Sequence, residues 1–169
     1  DRMRKESAMK IIIELFNPKR KLYNSWVLTI LRIIVGIGFV VHGYVKLKKG
    51  PAGFTMLLDH LGMPAPELMA WLAILAEFLG GIALIIGVYV SLVSIPLIIT
   101  MITAIATIHF QYGYSSIQTV GLDENGPKFG PPGYEINILY IGALITLLVM
   151  GAGKFSIDAI IANSTKRRT

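Results

Sequence analysis

The sequence predicts an all-α integral membrane protein, a four-helix up-down bundle preceded by an amphipathic helix in the membrane interface. Of its 169 residues, 54% are hydrophobic and the mean hydropathy is +0.64, well above that of a water-soluble domain of this length. Four apolar stretches approach the roughly 20 residues that a spanning helix needs. The mostly short connections between them are typical of an up-down arrangement.

The charge distribution and the lack of cysteine further limit which kind of membrane protein this is and which sites it can contain. The net charge is +6, but the sixteen Lys and Arg residues concentrate at the two termini. This fits the positive-inside rule better than a nucleic-acid-binding surface. We therefore predict a protein of the inner (cytoplasmic) membrane, with both termini cytoplasmic and no nucleic-acid partner. The absence of cysteine excludes disulfides, Cys-ligated zinc, iron–sulfur clusters and a CxxC redox pair.

Residues 1–25 form the predicted cytoplasmic segment. Within residues 5–16 the apolar side chains recur at helical spacing, with Lys10 and Glu14 on the opposite face. Asn17-Pro18 ends this pattern. It predicts a short helix that either lies in the membrane interface or packs against another subunit.

The first predicted span, residues 26–49, carries three basic side chains in an otherwise apolar stretch. Arg32, His42 and Lys46 lie within about 80° of one another on a helix, so one narrow face holds all three. An ionisable group in hydrocarbon is costly unless it finds a partner or water. That face is therefore expected to point to protein or to a polar cleft.

The next two predicted spans each contain one ionisable residue. Residues 68–90 contain Glu77, with a small-xxx-small spacing from Ala76 to Gly80 that lets a neighbouring helix approach closely. Residues 92–110 end in His109. Both ionisable groups are expected to face the interior of the bundle.

A long loop separates the third span from the fourth, which is predicted at residues 134–150. The loop is rich in glycine and aromatic residues and has a hairpin-like turn at Asn125-Gly126, which predicts an ordered binding segment or lid. The membrane domain then ends near residue 158. Residues 159–169 form a basic cytoplasmic tail.

Depth along the helices predicts which polar groups meet. At about 1.5 Å per residue, Arg32 lies roughly 21 Å and Glu77 roughly 13 Å below the outer face of a core about 30 Å thick. The long Arg32 side chain covers most of that difference, so we predict an Arg32–Glu77 ion pair. The other polar groups are expected at one level near the outer face: His42, Lys46, His109, Tyr134 and Glu135.

Four kinds of site are candidates for this polar cluster: di-iron, haem, zinc and quinone. A di-iron site needs Glu-x-x-His pairs, which neither Glu77 nor Glu135 offers. Haem between His42 and His109 is disfavoured because nothing else in the chain supports it. Zinc on the two histidines and Glu135 stays a minor alternative. A quinone fits better, because His, Tyr or Lys can hydrogen-bond its carbonyls and a carboxylate can exchange protons.

Five sequence motifs follow one another over residues 26–158. Their residues are Leu31, Arg32, Gly36, Phe39, His42, Gly43 and Lys46; Glu77, Gly80, Gly81 and Gly87; His109; Tyr134 and Glu135; and Gly151, Gly153, Ser156 and Asp158. In this order the motifs resemble the DoxX family. Where that family usually has Thr-Arg after the second helix, this chain has Tyr89-Val90-Ser91.

This resemblance implies a four-helix inner-membrane protein similar to the DoxD-type subunits of thiosulfate:quinone oxidoreductase and of quinol oxidase assemblies. We therefore predict a membrane subunit of a quinone-linked oxidoreductase, associated with other redox-complex subunits. The alternative is a non-catalytic accessory or assembly subunit. The predicted catalytic residues are His42, Glu77, His109 and Glu135, and the predicted substrate-binding residues are Arg32, Lys46 and Tyr134.

Overall fold

The computed structural model describes residues 23–166, which contain six α-helices and one two-stranded sheet. The predicted helix at residues 5–16 and the last three residues of the basic tail lie outside the described part. The elements in chain order are α1 (Tyr23–Lys49), α2 (Pro51–His60), α3 (Pro66–Ile86), α4 (Val90–Ala104), a π-helical segment (Ile105–His109), a 3-10 turn (Phe110–Tyr112), β1 (Thr119–Asp123), β2 (Gly126–Phe129), α5 (Glu135–Met150) and α6 (Ile157–Lys166).

Three described helical segments are long and apolar enough to cross a membrane: Trp26–Lys49, Pro66–Ile86 and Val90–Tyr112. They confirm three of the four predicted spans and the all-α class. The fourth apolar helix, α5, has 16 residues. At 1.5 Å per residue it measures about 24 Å, shorter than a hydrocarbon core of about 30 Å. A complete crossing by α5 therefore stays a prediction.

The four long helices contact one another in a closed order. Helix α1 packs along α3, α3 against α4, and α4 against α5, which also touches α1. Buried apolar side chains from these helices form the core, and apolar side chains also cover the outer surface of the helices, as lipid contact requires. The buried core comprises Leu28, Val35, Phe39, Leu84, Val90, Leu97, Leu144, Leu147 and Ala152.

Glycines bring α1 and α3 into backbone contact. A Cβ atom added to Gly81 would stand 2.7 Å from both the Gly36 carbonyl oxygen and the Val40 nitrogen, and one added to Gly43 would stand 2.6 Å from the Phe78 nitrogen. Residue numbers rise along α1 as they fall along α3, so the two helices are antiparallel. These contacts fix the register of the pair, since no larger residue fits at the crossing.

We expect Gly81→Ala to lower the free energy of unfolding by about 1–3 kcal/mol, because the new methyl group would push two backbones apart. Gly142→Ala on α5 is the matched control, since nothing lies within 4 Å of its added Cβ. Both variants can be compared by far-ultraviolet circular dichroism during unfolding in detergent. Equal stability of the two variants would contradict the close crossing.

A helix that sequence analysis did not predict, α2, follows α1 at once. Gly50 has φ 83°, a left-handed conformation that glycine adopts without strain, and Pro51 occupies the first turn of α2. The helix packs against α3. It therefore forms a wall of the region where α1 ends.

The long loop forms the predicted hairpin. Strands β1 and β2 pair antiparallel, with Leu122 opposite Pro127 and Asp123 opposite Gly126. The two-residue turn is Glu124-Asn125, one residue earlier than predicted, and Gly126 has φ 111°. The NG signal therefore located the hairpin correctly.

Candidate functional site

A cleft of about 950 Å³ opens between the helices at the end where α3 begins. Helices α1 to α5, the π-helical segment and the end of the long loop all contribute to its walls. Most of the lining is apolar, which suits a hydrophobic ligand. The polar side chains that line it are His42, Lys46, Glu77, Thr100, Thr103, Thr107, His109, Asn137 and Tyr140.

A buried ion pair between Lys46 and Glu77 is the strongest electrostatic feature of the cleft. The Lys46 ammonium lies 2.7 Å from each oxygen of the Glu77 carboxylate. The Glu77 side chain is only 3% exposed and that of Lys46 25%. The ammonium also lies 4.6 Å from the centroid of the Phe54 ring on α2, a cation–π contact. The carboxylate of the pair is thus buried, whereas its ammonium is partly exposed.

The predicted Arg32–Glu77 pair is wrong. Glu77 pairs with Lys46, whereas the Arg32 guanidinium donates hydrogen bonds to backbone carbonyls of Leu84 and Ile85, near the opposite end of α3. The depth estimate failed because α1 has 27 residues, about 40 Å, and exceeds the thickness of a bilayer core. Its first turns therefore extend past the end of α3, and Arg32 lies level with that end.

His42 lines the cleft one helical turn before Lys46. Its side chain is exposed, and no described residue forms a hydrogen bond with it. Both ring nitrogens are therefore available to a ligand. An imidazole can donate, accept or carry a proton near neutral pH.

His109, on the π-helical segment, also lines the cleft, and its orientation is fixed by the loop. Its Nδ1 lies 2.9 Å from the Pro132 carbonyl oxygen. Because a carbonyl only accepts hydrogen bonds, Nδ1 carries the hydrogen, and Nε2 is left for a ligand. A π-helical turn in an α-helix frequently marks a functional position.

Sequence reasoning missed five polar residues of the cleft: Thr100, Thr103, Thr107, Asn137 and Tyr140. The amide of Asn137 is buried and donates to the Met101 sulfur at 3.6 Å. The Tyr140 ring packs edge-on against Phe39, with centroids 5.2 Å apart. None of the five is charged, so the search for ionisable groups passed over them. Asn137 in an otherwise apolar helix was the available signal.

Tyr134 and Glu135 do not line the cleft, although sequence analysis expected them there. The Glu135 carboxylate accepts a hydrogen bond from the Ser116 backbone nitrogen at 3.1 Å. Tyr134 stacks on Phe110 and meets Tyr114 edge-on. Both side chains hold the beginning of the long loop against the start of α5.

Arg32 connects helix ends on the opposite side of the molecule from the cleft. Besides the carbonyls of α3, it donates to the Phe155 carbonyl oxygen. Nearby, Asp158 accepts hydrogen bonds from the backbone nitrogens of Tyr89 at 2.8 Å and Val90 at 3.1 Å, and so caps the start of α4. The Gly-x-Gly-x-x-Ser-x-Asp motif thus has a structural role in this molecule.

A metal site receives no support from the described residues. Within residues 23–166, no three His, Asp or Glu side chains cluster closely enough to hold a metal ion. The zinc alternative required Glu135 beside the two histidines, but its carboxylate is bonded to the loop.

A family model and three bacterial proteins are similar in sequence to this chain. The sequence model described as DoxX matches residues 27–110. A Bacillus subtilis protein with the name "Putative oxidoreductase CatD" is 33% identical over 79 residues, which are 47% of this chain and 57% of that protein. The Escherichia coli "Inner membrane protein YphA" is 28% identical over 134 residues, which are 78% of this chain and 87% of that protein.

A Haemophilus influenzae protein is 27% identical over 138 residues, which cover 80% of this chain and 91% of that protein. The chain thus spans only 57% of the length of CatD but most of the length of the other two relatives. No solved structure gives a significant match.

Proposed function

The chain belongs to the DoxX family of membrane proteins, and on that premise we propose that it is the membrane subunit of a quinone-linked oxidoreductase. The observation that carries this proposal is the mostly apolar cleft that contains the buried Lys46–Glu77 pair and two histidines. The name of the relative CatD supports an oxidoreductase role. The name of YphA supports location in the inner membrane.

The residues of the cleft fit a quinone. Both carbonyl oxygens of a quinone headgroup only accept hydrogen bonds, and the lining offers donors in His42, Asn137 and Tyr140. His109, whose Nδ1 is bonded to Pro132, donates from Nε2 when its ring is protonated. The apolar remainder of the lining suits a prenyl chain. A volume of about 950 Å³ lies at the upper end of the usual range for ligand pockets.

A bound quinone supplies an acceptor for two electrons and two protons. In our proposal His42 and His109 hydrogen-bond the carbonyls and pass protons, since imidazole exchanges protons near neutral pH. Glu77 holds a negative charge next to the headgroup, and the ammonium of Lys46 stabilises that buried carboxylate. The electrons come from a donor such as a reduced sulfur oxyanion or a partner subunit.

Lys46, a substrate-binding residue in the sequence-based prediction, is not proposed as the counter-charge for a sulfur oxyanion. Both oxygens of Glu77 already lie 2.7 Å from its ammonium, so the net charge of the pair is close to zero. An oxyanion donor is therefore expected to react outside the cleft. Basic residues at both termini support cytoplasmic ends, which would place the cleft near the outer face.

The proposal is tested by titrating decylubiquinone into the full chain in lipid nanodiscs. His42→Ala and His109→Ala should each weaken binding about 2- to 10-fold, the equivalent of one hydrogen bond. His60→Ala is the matched control, because His60 is exposed on α2 and does not line the cleft. It should bind as the unaltered chain does.

The substitutions should change quinone-coupled turnover more than they change quinone binding. In membranes that contain the assembled complex, His42→Ala should lower quinone-coupled turnover about 10²- to 10⁴-fold, the usual contribution of a proton-transferring group. Glu77→Gln should lower it about 10²- to 10³-fold, because it removes a fixed charge beside the reacting headgroup. Folded variants that retain full turnover would refute the catalytic assignment. If the unaltered chain binds no quinone, the accessory or assembly role becomes the better explanation.

A further inference from the structure

The hairpin has one apolar and one polar face. Leu122 lies opposite Pro127, and Phe129 is two residues further along the same strand, so all three side chains point to one side of the ribbon. Asp123 and Lys128 point to the other side, where they form an ion pair at 3.1 Å. The ribbon is therefore amphipathic.

The apolar face has no covering element among the described residues. Leu122 is 79% exposed and Phe129 is 63% exposed. An isolated two-stranded ribbon is marginally stable in water at best. An apolar face of this kind requires a partner surface, either lipid or protein.

The base of the hairpin is anchored at the ends of the membrane helices. The backbone nitrogens of Gly133 and Tyr134 donate to the carbonyls of Ser115 and Gly113 at 3.0 and 3.1 Å, so paired backbone joins the hairpin to α5. Three aromatic rings pack together at this base: Phe110, Tyr114 and Tyr134. Aromatic side chains of this kind are typical of the boundary between hydrocarbon and headgroups.

We propose that the hairpin lies on the bilayer, with Leu122, Pro127 and Phe129 in the boundary between headgroups and acyl chains. The strands are short, at about 17 Å for β1 and about 14 Å for β2, and start at the aromatic boundary, so lipid is the nearest apolar phase. In this position the Asp123–Lys128 pair, on the opposite face, points to water. Docking there also holds Pro132 and Gly133, which line the cleft, at headgroup depth.

This inference depends on the membrane location of the chain and not on quinone chemistry, so the two proposals can fail separately. The test uses the absence of cysteine from the sequence. Leu122→Cys and Gly121→Cys each create a single labelling site on consecutive residues that face opposite sides. A side chain at 121 meets nothing within 4 Å of its Cβ, so this variant is a matched control.

Each variant is labelled with a nitroxide and placed in phospholipid vesicles for power-saturation electron paramagnetic resonance. Collision with oxygen reports lipid contact, and collision with a water-soluble nickel chelate reports contact with water. We expect the oxygen-to-nickel ratio to be several times higher at 122 than at 121. Phe129→Cys and Lys128→Cys should repeat this contrast on the second strand.

Two results would overturn the proposal. Equal ratios with strong nickel collision at both positions would place the hairpin in water. Dipolar broadening at 122 that disappears on dilution with unlabelled chain would show that a second copy covers the face. Circular dichroism of every labelled variant checks that the helices are intact.

Discussion

We expect Lys46→Met to lower the free energy of unfolding by about 3–5 kcal/mol, because it leaves the carboxylate of Glu77 buried without its partner. That side chain is only 3% exposed, so loss of the ammonium leaves its carboxylate largely desolvated. The measurement is reversible unfolding in mixed detergent or bicelles, followed by far-ultraviolet circular dichroism.

The double variant Lys46→Met/Glu77→Leu is the decisive control. Removal of both charges also removes the desolvation cost of each, and apolar replacement of a buried pair is often neutral or stabilising. We therefore expect the double variant to recover most of the stability that Lys46→Met loses. If the double variant is no more stable than Lys46→Met, the unpaired carboxylate of Glu77 is not the cause of the lower free energy of unfolding.

The same double variant separates stability from function. If Glu77 acts only in packing, a folded double variant should bind decylubiquinone and support turnover normally. Our proposal instead predicts a stable protein whose quinone-coupled turnover is reduced as strongly as in Glu77→Gln.

Arg32→Met should lower the free energy of unfolding by about 3 kcal/mol or more, since hydrogen bonds from a charged donor contribute about 1.5–3 kcal/mol each. Arg32 is 3% exposed and donates to carbonyls of Leu84, Ile85 and Phe155. Its loss leaves the end of α3 without these donors and detaches the segment that follows α5.

Arg32→Lys is the informative comparison for this position. Lysine retains the charge but lacks the planar fork that reaches several acceptors at once, so we expect an intermediate loss of stability. Quinone binding should be unchanged in Arg32→Lys, because Arg32 does not line the cleft. Weaker quinone binding with unchanged stability would restore the substrate-binding role predicted from the sequence.

Much of the candidate site could be found from the sequence because ionisable groups are costly in apolar helices. His42, Lys46, Glu77 and His109 were identified in this way, and the structure places all four around one cleft. The hairpin was recognisable from the Asn125-Gly126 signal. Both features could be predicted because each depends on residues that are close together in the sequence.

The pairing of the charges was not accessible to the same reasoning. It depends on how far α1 slides along α3, and that offset is set by the close contacts of Gly36 with Gly81 and of Gly43 with Phe78. Depth counted from predicted helix ends cannot supply it, because α1 extends beyond α3. Asn137 was missed for another reason, since an uncharged amide gives little signal of its own.

The sequence by itself determined the apolar segments, the polar residues within them and the position of the hairpin, because hydrophobicity, charge and turn preference act over short distances. Only the tertiary structure decided that Glu77 pairs with Lys46, that Arg32 caps α3, and that Glu135 turns to the loop. These outcomes depend on helix register and side-chain direction. Both are set by contacts between residues far apart in the chain.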